Sequence, residues 1–165
     1  MSRYPVLPED IRQALDNIVP SEDGSLRYFP CRVTLKDGSV FDAVYIVPEL
    51  PYLRVWGIYP EDDQGKRSIQ IEDVAKLEDS QARLPARFAN ELYKHGESGM
   101  GYTIFTLLFA NGERQACFTG NAVDFICYPD GQGPNSVVAV LPHEGRDAKP
   151  VKGPDWYWCL YSEEK

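Results

Sequence analysis

A strict alternation of apolar and polar residues runs along one stretch of this chain and ends at a turn signal. The apolar members are Cys31, Val33 and Leu35, and the polar members are Arg32, Thr34 and Lys36. This period is typical of a strand with one buried face. Asp37-Gly38 is a hairpin signal, and a β-rich segment follows at 39–47. A two-residue turn would place Asp42 opposite Val33 on the apolar face, so we expect a β-bulge or a longer loop that corrects the register.

The same pattern recurs 74 residues later, where residues 33–38 align with residues 107–112 and Asn111-Gly112 supplies the turn. Tyr59-Pro60 similarly recurs as Tyr128-Pro129. Duplication of one small β unit explains this recurrence, and so does convergence between two ordinary hairpins. Further strands are predicted at 53–58, 68–71, 74–77, 102–110, 113–119, 122–128, 137–141 and 156–161.

Two helices are predicted. Pro8 and the acids after it suit a first helical turn, and Ile11, Leu15 and Ile18 then fall on one stripe at helical spacing. The second helix spans 84–95 and ends at Gly96. The expected fold class is therefore α+β and β-rich. It contains two small antiparallel sheets or partial barrels, with duplication as one explanation, together with an N-terminal helix and a linking helix.

Length and composition fit one compact unit over residues 1–165. Hydrophobic residues make up 43% of the 165-residue chain and charged residues 25%, which is the range of globular proteins. A chain of this size can bury a substantial core. Within this unit we expect an N-terminal helix in 1–24, a first β unit in 25–80, a linking helix in 81–96 and a second β unit in 97–165.

The net charge is −8, divided into −2 for residues 1–60, −3 for 61–100 and −3 for 101–165. A negative field repels phosphate backbones and disfavours nucleic acid as a partner. It favours another protein with a basic surface, or simply solubility. The start of the sequence has no apolar segment typical of a signal peptide, and the apolar runs at 104–110 and 137–141 are too short to span a membrane. A cytoplasmic location without membrane attachment is predicted.

A thiol paired with an imidazole is the first catalytic arrangement to consider. Candidate nucleophiles are Cys117 and Cys127, and candidate bases are His95 and His143. Their spacing matches no protease signature, and thiols in β-rich runs are usually small core residues. We therefore assign no catalytic residue, and expect all four cysteines, including Cys31 and Cys159, to be reduced.

Metal and nucleotide motifs are missing from the sequence. It has no Cys-x-x-Cys or His-x-x-x-His pair, and Glu61-Asp62-Asp63 lacks the order of a calcium loop, so no metal or cofactor is predicted. The glycines of segment 96–101 follow neither a phosphate-loop nor a dinucleotide pattern. Met100 stands where a Gly-x-Ser-x-Gly elbow needs glycine. This segment is predicted to be a loop that ends the second helix.

Large aromatic residues are the candidates for partner binding: Trp56, Tyr102, Tyr128, Trp156 and Trp158. Trp156 and Trp158 would share one face of the last strand. Burial against the sheet explains most of these residues, while aromatics on both faces of a terminal strand indicate that one face contacts a partner.

The segment Glu97-Ser-Gly-Met-Gly-Tyr102, followed by a strand hairpin, resembles a group of small uncharacterised bacterial proteins over about residues 97–128. This resemblance implies a bacterial source and a β domain, and no activity. Residues 33–38 and 69–77 are also similar to small Sm-type or Src-homology-type barrels, which is an analogy of fold alone.

The sequence thus favours a non-enzymatic protein-binding protein of the bacterial cytoplasm, of the immunity or adaptor type. The alternative is a small enzyme or ligand-binding domain with a pocket between the two β units.

Overall fold

The computed structural model describes residues 2–163, which form three helices and nine strands. The helices are α1 (Glu9–Leu15), α2 (Glu49–Trp56) and α3 (Ala86–His95). The strands are β1 (Ser21–Asp23), β2 (Leu26–Leu35), β3 (Val40–Pro48), β4 (Val74–Glu78), β5 (Thr103–Phe109), β6 (Arg114–Thr119), β7 (Val137–Pro142), β8 (Val151–Lys152) and β9 (Tyr157–Tyr161). The α+β, β-rich class is confirmed.

The chain divides into two compact units. Unit 1 comprises Met1–Pro20, Ser25–Ser80 and Asp155–Lys165, and unit 2 comprises Ser21–Gly24 and Gln81–Pro154. The sequence placed the last strand in the second β unit, but β9 belongs to unit 1. A strand that returns from a distant segment carries no local signal of the sheet it joins.

In unit 1 the strand order is β4-β2-β3-β9. Strand β2 is antiparallel to β3 and β4, whereas β3 and β9 are parallel. One face of this sheet packs on α1 through a core of aliphatic residues and two thiols: Ile11, Leu15, Cys31, Val33, Val44, Ile46 and Cys159. The strict two-residue turn does not form: the Leu35 N–H bonds the Ser39 carbonyl across a longer loop, so Val33 faces Phe41 instead of Asp42. A register shift between Cys31 and Val33 then places Cys31 opposite Val44. Asp42 is thereby left exposed, 3.0 Å from Arg32.

Helix α2 corrects the strand predicted at 53–58. A proline just before an apolar run indicates a break in the sequence, yet Pro51 lies in the first helical turn, where its missing N–H has no helical acceptor. Glu49 in the same turn complements the helix dipole. Gly57 then ends the helix in the left-handed conformation, with φ of 80°.

Two other predicted strands are wrong. Residues 68–71 and 122–128 make only isolated bridges, at Ser68 and Phe125. The second segment is buried but irregular, and its apolar side chains Val123 and Ile126 join the core of unit 2. Burial alone therefore accounts for the apolar run that indicated a strand.

In unit 2 the strand order is β7-β5-β6-β8, and α3 covers one face. Helix α3 begins at Ala86, because Pro85 occupies the N-cap position. Strand β5 is antiparallel to β6 and β7, and the two-residue β8 runs parallel to β6. Both sheets are thus open and mostly antiparallel, each with one parallel pair, and the partial-barrel alternative does not apply.

The two units share details beyond a common hairpin. The bond from the Leu35 N–H to the Ser39 carbonyl recurs from Phe109 to Glu113, 74 residues later. In each unit the residue after this donor bonds the residue that precedes the third strand. Lys36 N–H bonds the Asp73 carbonyl before β4, and Ala110 N–H bonds the Ser136 carbonyl before β7. Register shifts also occur at Leu35 and at Phe109. Convergence of two hairpins would not reproduce these long-range features, which favour duplication.

Candidate functional site

The thiols do not form a nucleophile pair with an imidazole in the described residues. Cys31, Cys117 and Cys159 are buried, and only Cys127 is exposed. Burial raises the pKa of Cys117 to about 11, while the Gln115 side-chain amide opposes this shift. Burial also raises the pKa of Cys159. Since the thiolate is the reactive form, Cys117 and Cys159 are poor nucleophiles at neutral pH.

Both histidines lie instead in one cluster with Ser98. The Ser98 hydroxyl lies 2.7 Å from Nδ1 of His143, and Nε2 of His143 lies 3.1 Å from the His95 carbonyl. The second contact requires Nε2–H as donor. The Ser98 hydroxyl has one proton and two acceptors within reach, Nδ1 of His143 and the Ile104 carbonyl at 3.2 Å. Sequence analysis missed this partner because Ser98 and His143 are 45 residues apart.

The Ser98 cluster connects a loop to two strand ends rather than forming a reaction centre. Ser98 Oγ also accepts the Ile104 N–H at 2.8 Å. The N–H groups of Ser98 and Gly99 both bond the Tyr102 carbonyl, and that of Gly101 bonds the Glu97 carboxylate. An oxyanion at Ser98 would need free N–H groups nearby, and these three are already used within the loop. As predicted, the loop ends α3, with Gly96 at φ of 73°.

The tryptophans lie in the packing between α2 and the sheet of unit 1. Trp158 is 1% exposed, so it is a core residue that a partner cannot reach. Its ring centroid lies 5.0 Å from that of Trp56 and 6.5 Å from that of Trp156. Trp56 is half-buried, with Lys66 Nζ 4.3 Å from its ring centroid.

The two candidate tyrosines, both in unit 2, have separate packing roles. Tyr102 stacks on Phe118 with 5.5 Å between ring centroids, and its hydroxyl accepts a hydrogen bond from Arg146. Tyr128 donates its hydroxyl proton to the Arg83 carbonyl at 2.8 Å and packs on Phe109. Within unit 2, each candidate tyrosine is therefore held by its own ring contact and hydrogen bond.

Helix α2 and the residues just beyond it expose three apolar side chains. Its inner side presents Glu49, Tyr52 and Trp56 to unit 1. Leu50 is 48% exposed, Val55 is 47% exposed, and Ile58 just beyond the helix is 41% exposed. Leu50 and Val55 flank Arg54 on the side that faces away from the sheet. We call Leu50, Val55 and Ile58 the α2 surface. Sequence analysis missed it because this segment was interpreted as a strand.

The α2 surface belongs to the more acidic unit. Unit 1 contains ten Lys and Arg residues against sixteen Asp and Glu residues, a net charge of −6, whereas unit 2 carries −2. The turn after α2 contributes Glu61, Asp62 and Asp63. The charge that is spread evenly along the sequence is therefore concentrated in one unit by the fold.

Unit 2 contains an open cleft of about 660 Å³ beside β6. The residues lining it come from β6 and its turn, the loop before β8, and three other positions: Glu113, Arg114, Gln115, Ala116, Glu144, Gly145, Ala148, Lys149, Thr106, Pro129 and Val151. Gly145 has φ of 110°, and a Cβ there would lie 2.7 Å from the Ala116 Cβ. Only glycine therefore lets this loop approach the strand so closely.

Comparison with protein-family models, curated proteins and solved structures found no match for this chain. Among residues 2–163, no helix combines the length and apolar character needed to cross a membrane. The same residues contain no group of three or more His, Cys, Asp or Glu side chains arranged to hold a metal ion. Inference about function thus depends on the surfaces described above.

Proposed function

We propose that this protein is a non-enzymatic binding protein that recognises a basic partner protein through the α2 surface. The observation that carries this proposal is the half-exposure of Leu50, Val55 and Ile58 on the unit that carries a net charge of −6.

Apolar area and negative charge have separate roles in this interaction. Removing aliphatic side chains from water stabilises a complex, and large exposed apolar patches commonly mark interaction sites. The charge of unit 1 attracts a cationic partner over long range and disfavours acidic competitors. A protein with an apolar patch bordered by Lys and Arg would satisfy both features.

An immunity-type or adaptor protein of the bacterial cytoplasm is the biological role we propose. A small acidic protein of this type would bind and block a cationic toxin. The resemblance of residues 97–128 to small bacterial proteins supports the bacterial source. The buried thiols and the occupied backbone donors around Ser98 favour binding over the alternative of a small enzyme.

The test replaces an aliphatic residue of the α2 surface by a cation. Val55→Arg removes apolar contact and repels a basic partner, and Val138→Arg makes the same change at a β7 position that is 50% exposed in unit 2. Tagged wild-type protein and both variants are cross-linked in bacterial cells, and the captured proteins are quantified by mass spectrometry. We expect Val55→Arg to lose at least about tenfold of a basic partner that Val138→Arg retains, as removing one strong interface contact does.

Two results would contradict the proposal. One is a partner set that is equally retained by Val55→Arg and the wild type. The other is a set of specific partners that are acidic and whose capture does not weaken as salt is raised.

A further inference from the structure

We infer that unit 2 binds an extended segment of a partner protein by strand addition to the free edge of β6, inside the cleft. This site does not depend on the α2 surface, because every residue that lines it belongs to unit 2.

The cleft follows the edge of β6 rather than one face of the sheet. Side chains of a strand alternate between the two faces, and Cys117 lies in the core beneath α3. Gln115 therefore points to the α3 side, while Arg114 and Ala116 point to the opposite side. All three line the cleft. A space lined from both faces of one strand must lie along its edge.

Both backbone groups of Arg114 and the N–H of Ala116 are directed into this space, whereas the Ala116 carbonyl is used by the parallel pairing of Val151 with Cys117. The bond from Phe109 N–H to the Glu113 carbonyl fixes which β6 residues bond to β5. By antiparallel alternation these are Gln115 and Cys117. The N–H and C=O groups of Arg114 and Ala116 therefore point away from β5. Phe118 has the outward orientation, since its carbonyl accepts the Gly153 N–H at 3.0 Å.

The edge is open because β8 is short. Its pairing with β6 covers only Cys117 and Phe118. The preceding residues turn away from the strand, with a bond from Ala148 N–H to the Gly145 carbonyl and φ of 53° at Lys149. The cleft therefore occupies the place that a longer β8 would fill.

An extended peptide fits this site better than a helix does. The outward N–H and C=O groups recur every second residue, which matches the repeat of a peptide in β conformation. Arg114 and Glu113 lie on opposite faces of β6, and neighbouring residues of an added strand also point to opposite faces. We therefore specify a segment with adjacent acidic and basic residues, one facing Arg114 and the other facing Glu113.

Hydrogen exchange on the free protein tests the open edge. The amides of Arg114 and Ala116 are expected to exchange at least about a hundredfold faster than those of Gln115 and Cys117, which bond to β5. Equal protection of all four amides would overturn the inference.

The binding test uses nine-residue peptides selected from a random phage-displayed library against the intact chain. A synthetic selected peptide is expected to slow exchange at Arg114 and Ala116 by tenfold or more. Ala116→Pro removes one outward N–H and should weaken binding at least about tenfold, whereas Val138→Arg, on β7 and outside the cleft, should bind as the wild type does.

If Ala116→Pro does not fold, the exchange rates of the wild type with and without peptide decide the question alone. Recovery of no binding peptide, or of peptides that leave both amides unchanged, would contradict strand addition. Either result would leave the α2 surface unaffected, because the Val55→Arg test concerns unit 1.

Discussion

The indole N–H of Trp56 donates a hydrogen bond of 3.1 Å to the hydroxyl of Tyr28 and so connects α2 to strand β2. Tyr28 is fully buried, and its ring also lies 5.4 Å from that of Tyr45. The position of the α2 surface thus depends on this contact.

Trp56→Phe should lower the free energy of unfolding by about 1–3 kcal/mol, because it removes the donor to a buried hydroxyl and part of the ring beneath Lys66. Urea unfolding measures the change. Tyr28→Phe and the double variant complete a mutant cycle. Purely additive effects would show that the two groups do not interact.

Glu49→Gln should destabilise the chain and release its first residues. Glu49 is 1% exposed, and both of its carboxylate oxygens accept hydrogen bonds: Oε2 from the Arg3 N–H at 3.0 Å and the Tyr59 hydroxyl at 3.1 Å, and Oε1 from the Tyr4 N–H at 3.4 Å. Hydrogen bonds to a charged group contribute about 1.5–3 kcal/mol, and an amide cannot replace both oxygens as acceptors. Faster hydrogen exchange at Arg3 should accompany the lower midpoint of unfolding. Glu72→Gln, at an exposed carboxylate of the same unit, is the control and should have a smaller effect.

Stability should fall as the pH rises from 9 to 11, partly through Cys117. Burial raises the pKa of this thiol to about 11 from its ordinary value of 9.0. Between these values the unfolded chain binds fewer protons than the folded chain, so the free energy of unfolding decreases with pH. Cys117→Ala should lose less stability than the wild type between pH 8 and pH 10.5, measured by urea unfolding at both values. Equal losses would show that Cys117 does not contribute.

Native alkylation should label one thiol. Cys127 is exposed and the other three cysteines are buried, so iodoacetamide at pH 8 is expected to modify Cys127 alone. Mass spectrometry of the digested protein identifies the site, and Cys127→Ser should remove the native label. Rapid labelling of Cys117 would restore the enzyme hypothesis, because it would require an accessible and activated thiol.

Short-range sequence patterns predicted the turns and helices that depend on residues close together in the chain. Hairpin turns, the longer loop that corrects the register between β2 and β3, and the helices at α1 and α3 could all be predicted from short-range spacing. The pairing of β9 with β3 could not, because parallel neighbours are joined by long connections. Helix α2 was missed since Pro51 reads as a break unless its position in the first turn is known.

The candidate surfaces were harder to predict for the same reason. The α2 surface requires the correct secondary structure, and the cleft requires knowledge of where β8 stops pairing. Ser98 and His143 come together only because β5 and β7 are neighbours. None of these depends on a motif that a single sequence displays.

Because β9 completes the sheet of unit 1, the order of synthesis affects folding. Strand β3 leaves the ribosome about a hundred residues before β9, its parallel neighbour. Most of unit 2, Gln81–Pro154, lies between them and has its strands close together in sequence, so this part can fold during elongation, whereas unit 1 must wait for the final segment. Until then one side of β3 remains unpaired and exposed to chaperones and to other nascent chains.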